Sequence, residues 1–398
     1  MEMGVPMSSC MENSKELNVR VFTGREGLLA IEEIWNNFVS GIPNMRFIHQ
    51  YGWYRSHLEA ARPENGTVVF VLMLRAGAPV AIFPLLRSVV RRFGIRLRTW
   101  EILWPNDMGI CDFVFAKTDG NRELLTALTR FLRTERGFAW DLLRLEDTLD
   151  DSCVQYSLRA APPPLAVTFK HHSSKYIPCD GNYESVMGRL SGDFRRNLRR
   201  QTKKLCEMGN VEFRFVTEPK DMEEAFWHFL HAEATSWKGG TGSKSAIQLH
   251  DDRIRFYRTL IDEFSRQGAC AINLILLNGQ CIASQLGVST GDTLYLLKIG
   301  YNEEHKALGP GNVLLGKVIE RCCGDSKISK ISFITGAAWN DRWAPEAMDV
   351  LESNVYNFTF PGISAYTLEW AKNRGRRLKH WGQALMRTRK GTDAGAGS

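Results

Sequence analysis

The chain has 398 residues, 44% of them apolar and 24% charged, with a net charge of +7. That length exceeds one typical core and suits two domains, and the composition excludes an intrinsically disordered chain. The positive excess fits an anionic ligand without requiring one.

No apolar run is long enough for a membrane span. The first twenty residues contain Glu2, Glu12, Lys15 and Glu16 where a signal peptide would have an apolar core, so the expected location is cytoplasmic. The nine cysteines are scattered, with no C-x-x-C pair, and Cys322 and Cys323 are adjacent. They read as small buried hydrophobes, and no metal site is expected.

In chain order, Thr67 to Leu74 reads as a strand, Arg75 to Pro79 as a turn, Val80 to Val89 as a second strand and Leu97 to Leu103 as a third. A helix follows at Arg122 to Arg136, with Leu124, Leu125, Leu128 and Leu132 on one face. Next come a strand at Asp141 to Leu145 and a further helix and strand up to about Tyr176.

Ala269 to Leu277 and Cys281 to Ser289 read as a hairpin closed by Asn278-Gly279, followed by a strand at Thr293 to Ile299. A helix at Asn312 to Cys323 and strands at Ile328 to Ile334 and Val355 to Phe360 complete the chain. Each half thus runs strand, strand, strand, helix, strand, which points to two copies of one domain packed side by side. The expected division is a disordered N-terminus at 1–18, a first domain at 19–177, a second at 178–382 and a flexible tail at 383–398.

The stretch YLLKIGYNEEHKALGPGNVLLG, residues 295–316, is the most specific feature. A strand leads into Gly309-Pro310-Gly311, and Val313, Leu314 and Leu315 begin a helical pattern. This order puts backbone N–H groups of Gly311 and Asn312 at a helix start, where a pyrophosphate can sit. An ordinary strand-to-helix turn uses glycines in the same way. The equivalent stretch of the first half, PNDMGICDFVFAKTDGN, lacks the Gly-Pro-Gly loop.

With AIFPLL at 81–86, GDFRRNLRRQTKKL at 192–205, EATSWKG at 233–239, NGQCIASQLG at 278–287 and ITGAAWNDRW at 334–343, the order of motifs resembles the tandem-GNAT proteins described as CelD-like or BioF2-like acetyltransferases, relatives of the FemABX aminoacyl transferases. The resemblance spans roughly Phe22 to Trp381. It implies an α/β fold of two tandem GNAT-like acyl-CoA N-acyltransferase domains, each a mostly antiparallel mixed sheet flanked by helices. The first copy is then degenerate, and the second binds the coenzyme A donor. The segment at 334–343 departs from the family: Trp339 and Asn340 stand where a tyrosine and a lysine are expected.

Arg195, Arg199 and Lys203 stand four apart, as do Arg196, Arg200 and Lys204, forming two cationic stripes beside a docking face of Phe194, Leu198 and Leu205. These stripes suit coenzyme A phosphates, an acidic glycan or an RNA backbone, and equally a solvated helix face. Arg196, Arg200, Lys298, Gly309, Gly311 and Asn312 are the expected cofactor-binding residues.

Direct transfer to an amine needs positioning, a proton acceptor and donors for an oxyanion. The candidate bases are Glu233 and His305. Trp237, Lys238, Gln285, Tyr301, Trp339 and Asn340 form the expected substrate-binding set, and Trp343 is a further possible pocket wall. No G-x-S-x-G elbow, activated cysteine or G-x-x-x-x-G-K-[ST] loop is present.

The expected activity is therefore acyl-CoA-dependent N-acylation of a small amine, an amino sugar or an amino-acid derivative. Two alternatives stand beside it: an aminoacyl-tRNA donor, with tRNA as partner, and a non-catalytic scaffold in polysaccharide assembly.

Overall fold

The structure, a computed structural model, describes residues 17–374 apart from 44, 61–66, 104–108, 117–122, 180 and 241. Residues 1–16 and the expected tail lie outside that range, while Leu17 and Asn18 already belong to the first strand. The first half supplies β1 (Leu17–Thr23), β2 (Thr67–Arg75), β3 (Ala78–Arg92), β4 (Ile95–Ile102), β5 (Leu142–Leu149) and β6 (Ala166–Pro178). The second supplies β7 (Val211–Val216), β8 (Cys270–Leu277), β9 (Gln280–Thr290), β10 (Thr293–Tyr301), β11 (Lys330–Ser332) and β12 (Glu346–Tyr356).

These strands form one twelve-stranded sheet in the order β1-β2-β3-β4-β5-β12-β6-β11-β10-β9-β8-β7. Each half has four antiparallel strands and then a parallel pair, β4 with β5 and β10 with β11. The repeat expected from element order is present. The halves do more than lie side by side, however, because each gives its last strand to the other. β12 pairs with β5, β6 pairs with β11, and the two exchanged strands pair antiparallel at the centre.

The run Val68–Leu74 is continuously apolar because β2 is covered on both faces. Val68, Phe70, Leu72 and Leu74 join one core, and Val69, Val71 and Met73 another, as period-two alternation requires. The first core also receives α1 (Gly24–Ala30), α2 (Glu32–Ser40), α3 (Tyr51–Ala60), α8 (Met222–Ala234) and α9 (Asp251–Ser265), so it runs under both halves. On the other face, α4 (Leu124–Thr134) and α5 (Cys153–Ala160) cover the first half. There α6 (Tyr183–Arg189), α7 (Gly192–Glu207) and α10 (Pro310–Cys323) cover the second.

Two expected segments differ from the structure. The strand expected at Ile328 to Ile334 is paired only over Lys330–Ser332. Val355 is the end of a strand that begins nine residues earlier, at Glu346, and residues 360–374 are helical. The polar start of β12 hid it from a hydrophobic-pattern reading. Of the eight described cysteines, six are buried as expected, Cys323 is half-buried and Cys206 is exposed.

Helices α3 and α9 join the halves on the shared core. Gly52 is buried in α3, and a Cβ there would stand 2.7 Å from Cβ of Glu263. Arg55 reaches the same Glu263 carboxylate at 2.8 Å. Gly52→Val is expected to cost about 1–3 kcal/mol through overpacking. Urea unfolding measures this, and an unchanged midpoint would show that the α3–α9 contact is not tight.

Candidate active site

The parallel pairing of β10 with β11 lasts three register steps, from Thr293 opposite Lys330 to Tyr295 opposite Ser332. β10 then continues to Tyr301, while the chain after β11 turns toward β6: Phe333 N–H donates to Lys175 O at 2.9 Å. A bulge between Leu296 and Lys298 re-aims the edge that is left open. The two strands diverge around a cleft of about 870 Å³, lined by residues 296–301, by Phe333, Ile334 and Thr335, and by the first residues of α10.

The first half begins in the same way. β4 and β5 also pair for three steps, Thr99 with Leu142 to Glu101 with Arg144. Its own chain then fills the opening. Val114 exchanges backbone hydrogen bonds with Ile82 at 2.9 and 3.1 Å, and Cys111 N–H donates to Asp147 O at 2.7 Å. Ile110, Phe113, Val114 and Phe115 are all buried there. Of these two wedges, the described residues 110–115 occupy the first, and the cleft lies in the second.

Gly309 precedes α10 in the left-handed conformation, φ 57° and ψ 44°, and no side chain caps the helix. Asn312 and Val313 N–H groups donate to Gly309 O at 3.0 and 3.1 Å. A Cβ at Gly309 would meet Gln201 Nε2 at 2.3 Å, whereas one at Gly311 would meet only Tyr301 Cδ1, at an ordinary 3.5 Å. The α10 start thus turns the half-buried backbone at Gly311 and the positive end of its dipole to the cleft.

Of the expected residues, Lys298, Gly309, Gly311, Asn312, Trp237, Lys238, Gln285, Tyr301 and Trp339 line the cleft together. Lys298 Nζ stands 5.9 Å from the centre of the Tyr257 ring. Burial, and then Glu303, raise the Tyr301 pKa above its ordinary value, so the phenol stays protonated at neutral pH.

Six expected residues are not among the cleft lining. Arg196 and Arg200 lie on the exposed face of α7, where Arg196 pairs with Asp193 and Arg200 donates to Asn197. His305 lies half-buried on the turn before Gly309, with its backbone N–H on Asn302 O. Asn340 is fully buried, and neither of its amide atoms has a partner among the described residues. Trp343 is packed edge-on to Phe194 inside the core.

The sixth is Glu233, which is 1% exposed. Its Oε1 accepts from Lys238 Nζ at 3.0 Å and its Oε2 from Ile247 N–H at 2.9 Å. Lys238 also donates to Ile299 O at 2.7 Å. This carboxylate anchors residues 238–247 and the cleft edge of β10, and both its oxygens are occupied.

Gln201, Ser236, Ser284, Lys306, Thr335 and Arg342 also line the cleft and were not singled out from sequence. Gln201 was legible, since it lies three residues after Leu198 and four before Leu205 on the inward side of α7. Among the described residues, Gln201 Oε1, Ser284 Oγ and Gln285 Oε1 have no hydrogen-bond partner. Ser284 and Gln285 are 1% and 3% exposed. Unpaired buried oxygens carry a desolvation cost, which a ligand bearing N–H groups would relieve.

Residues 192–343 match the family model described as an acetyltransferase (GNAT) domain. The structure titled FemX has a TM-score of 0.55 to this chain at 12% identity, covering 85% of this chain and 98% of that one. A conserved protein of unknown function from Bacteroides thetaiotaomicron has a TM-score of 0.50 at 11% identity, covering 83% and 97%. No curated protein matches the chain significantly. The match to the GNAT acetyltransferase model lies in the second half of the chain, and the fold of the whole is similar to that of FemX. No helix among the described residues is long and apolar enough to cross a membrane.

Removing the Glu233 carboxylate strands the Lys238 ammonium, whose side chain is only 15% exposed. Glu233→Ala is expected to lower stability by about 3–5 kcal/mol, as for a broken buried ion pair. Chemical denaturation tests this; wild-type stability would mean that the pair is not an anchor.

Proposed function

We propose that the chain is an acyl-CoA-dependent N-acyltransferase that transfers an acyl group directly to the amine of a small molecule, an amino sugar or an amino-acid derivative. The observation that carries this reading is the continuity of the cleft: an unpaired strand edge at Leu296–Tyr301 leads to the uncapped start of α10. An extended arm containing amide groups is recognised by an open strand edge, and a pyrophosphate by a helix N-terminus. Coenzyme A carries both features in that order.

In this reading the amine nitrogen attacks the thioester carbonyl, the C–S bond breaks, and the departing sulfur takes a proton. Tyr301 lies in the cleft beside Gly311 and is protonated at neutral pH, which makes it the acid for that step. Gln201, Ser284 and Gln285 offer acceptors for ligand N–H groups. His305, next to the cleft-lining Lys306, is the proposed base of the expected pair, and Glu233 is the anchor.

One observation favours a second donor. The cationic face of α7, with Arg196, Arg199, Arg200, Lys203 and Lys204 exposed, adjoins the cleft through Gln201. A polyanionic donor such as aminoacyl-tRNA would use that face, and its affinity would fall steeply with salt.

Calorimetric titration with acetyl-CoA and longer acyl-CoAs, at low and moderate salt, separates these readings. Micromolar binding is expected, and Gly311→Val is expected to weaken it about tenfold or more while leaving the fold intact. Binding of aminoacyl-tRNA alone would replace the donor; binding of neither would favour a non-catalytic role. Tyr301→Phe is expected to lower turnover on the order of 100-fold with little change in donor affinity. Unchanged turnover would remove Tyr301 from the chemistry.

A further inference from the structure

A second cluster of functional groups lies at the centre of the sheet, where the first half meets the exchanged strands. β6 carries His171 and His172. Consecutive strand residues normally face opposite sides of a sheet. Here the register shifts between Val350 and Leu351 of the partner strand, leaving His171 unpaired between His172 and Lys170. The two rings come to one side, with centroids 5.1 Å apart.

Both rings meet one carboxylate oxygen. His171 Nδ1 stands 2.9 Å, and His172 Nε2 3.0 Å, from Asp147 Oδ1. Asp147 lies on β5 with φ 54°, beside the register shift opposite Glu352. One ligand atom from each of these three residues lies within 4.8 Å of the others, and His171, Glu146 and Glu352 form a second such group.

The other nitrogen of His172 decides the chemistry. Nδ1 stands 3.3 Å from the carbonyl oxygen of Ser173, which accepts only if Nδ1 carries the proton. In the neutral ring only one of the two contacts can be a hydrogen bond: a proton on Nδ1 leaves a bare Nε2 lone pair facing Asp147 Oδ1, and a proton on Nε2 leaves the Ser173 contact unmade. A second proton on the ring, or a cation between Nε2 and Asp147 Oδ1, lets both contacts be made. A backbone carbonyl holding the remote N–H of an imidazole is also the usual outer-shell support of a metal ligand.

The surrounding charge favours a cation. Glu101, Glu146, Glu352 and Glu369 share two guanidinium groups: Arg144 pairs with Glu101, Glu146 and Glu352, and Arg92 with Glu352 and Glu369. Asp147 adds a fifth carboxylate and is met by the two histidines. Two imidazoles and a carboxylate suit zinc and its neighbours, and donors at about 2.0–2.2 Å from a shared ion stand roughly 3 Å apart.

We propose that His171, His172 and Asp147 bind one divalent transition-metal ion of the zinc class. The ion would clip β5 of the first half to the exchanged strand β6, with a coordination position left for water or Glu146. None of the three residues is among the cleft lining, and the proposal does not depend on the donor assigned there.

The test uses the full chain carrying Cys206→Ser, which removes the exposed thiol, after dialysis against a chelator. Titration with zinc chloride is expected to show one bound equivalent and a raised thermal midpoint. His172→Gln and Asp147→Asn should each weaken binding about tenfold or more. Absence of stoichiometric binding, or unchanged binding in the His171→Gln/His172→Gln double variant, would overturn the proposal and leave His172 doubly protonated against Asp147. If the variants fail to fold, cobalt substitution of the unmutated site decides. A visible spectrum of nitrogen and oxygen ligation is expected, and a thiolate charge-transfer band or no spectrum would overturn it.

Discussion

The antiparallel pairing of β6 with β12 is the interaction on which the rest of the structure depends. Without β12 the first half ends its sheet at β5, and without β6 the second ends at the three-residue strand β11. A three-residue strand has too few hydrogen bonds to hold an edge. It survives because β6 runs thirteen residues and continues past it to pair with β12 from Glu346 to Val355. The exchange also places long-range pairing at the centre of the fold, so neither half buries its inner edge alone.

The cleft is a consequence of that pairing. β6 draws the chain beyond Ser332 toward itself through Lys175, whose backbone carbonyl receives Phe333 N–H and whose ammonium reaches Gly336 O at 3.0 Å. β10 is held on its other side by β9 as far as Tyr301. Two strands tied to different neighbours separate, and the bulge at Leu297 widens the opening. The same geometry exists between β4 and β5, where Ile110–Phe115 fills it with buried side chains. Duplication supplied two wedges, and the local chain decides which one is open to a ligand.

Local chemistry was legible in the sequence where one or two residues determine it. Asn278 and Gly279 adopt φ 51° and 83°, as the hairpin turn demands, and Gly309 takes the left-handed conformation that precedes α10. Phe194, Leu198 and Leu205 dock α7 as their spacing implies. What escaped is set by partners distant in sequence: the strand exchange, the short pairing of β11 and the bulge that brings His171 and His172 to one side. Glu233 is intermediate. It lies four residues after Phe229 and three after Leu230, both buried on α8, so the helical period already placed its carboxylate inside. Its chemical type suggests a base, and its position on the helix places it among buried partners.

Burial separates the two kinds of polar group in this protein. Glu233 is buried with both oxygens satisfied, and its ion pair with Lys238 fixes the backbone carbonyl of Ile299 on the cleft edge. Gln201, Ser284 and Gln285 are placed beside open space with an oxygen unpaired. A buried carboxylate with both oxygens satisfied stabilises one geometry. An unsatisfied amide or hydroxyl at a cavity wall leaves a desolvation cost uncompensated until a ligand donates to it. The anchor thus fixes one edge of the cleft, and the unpaired oxygens of α7 and β9 lie on its other walls.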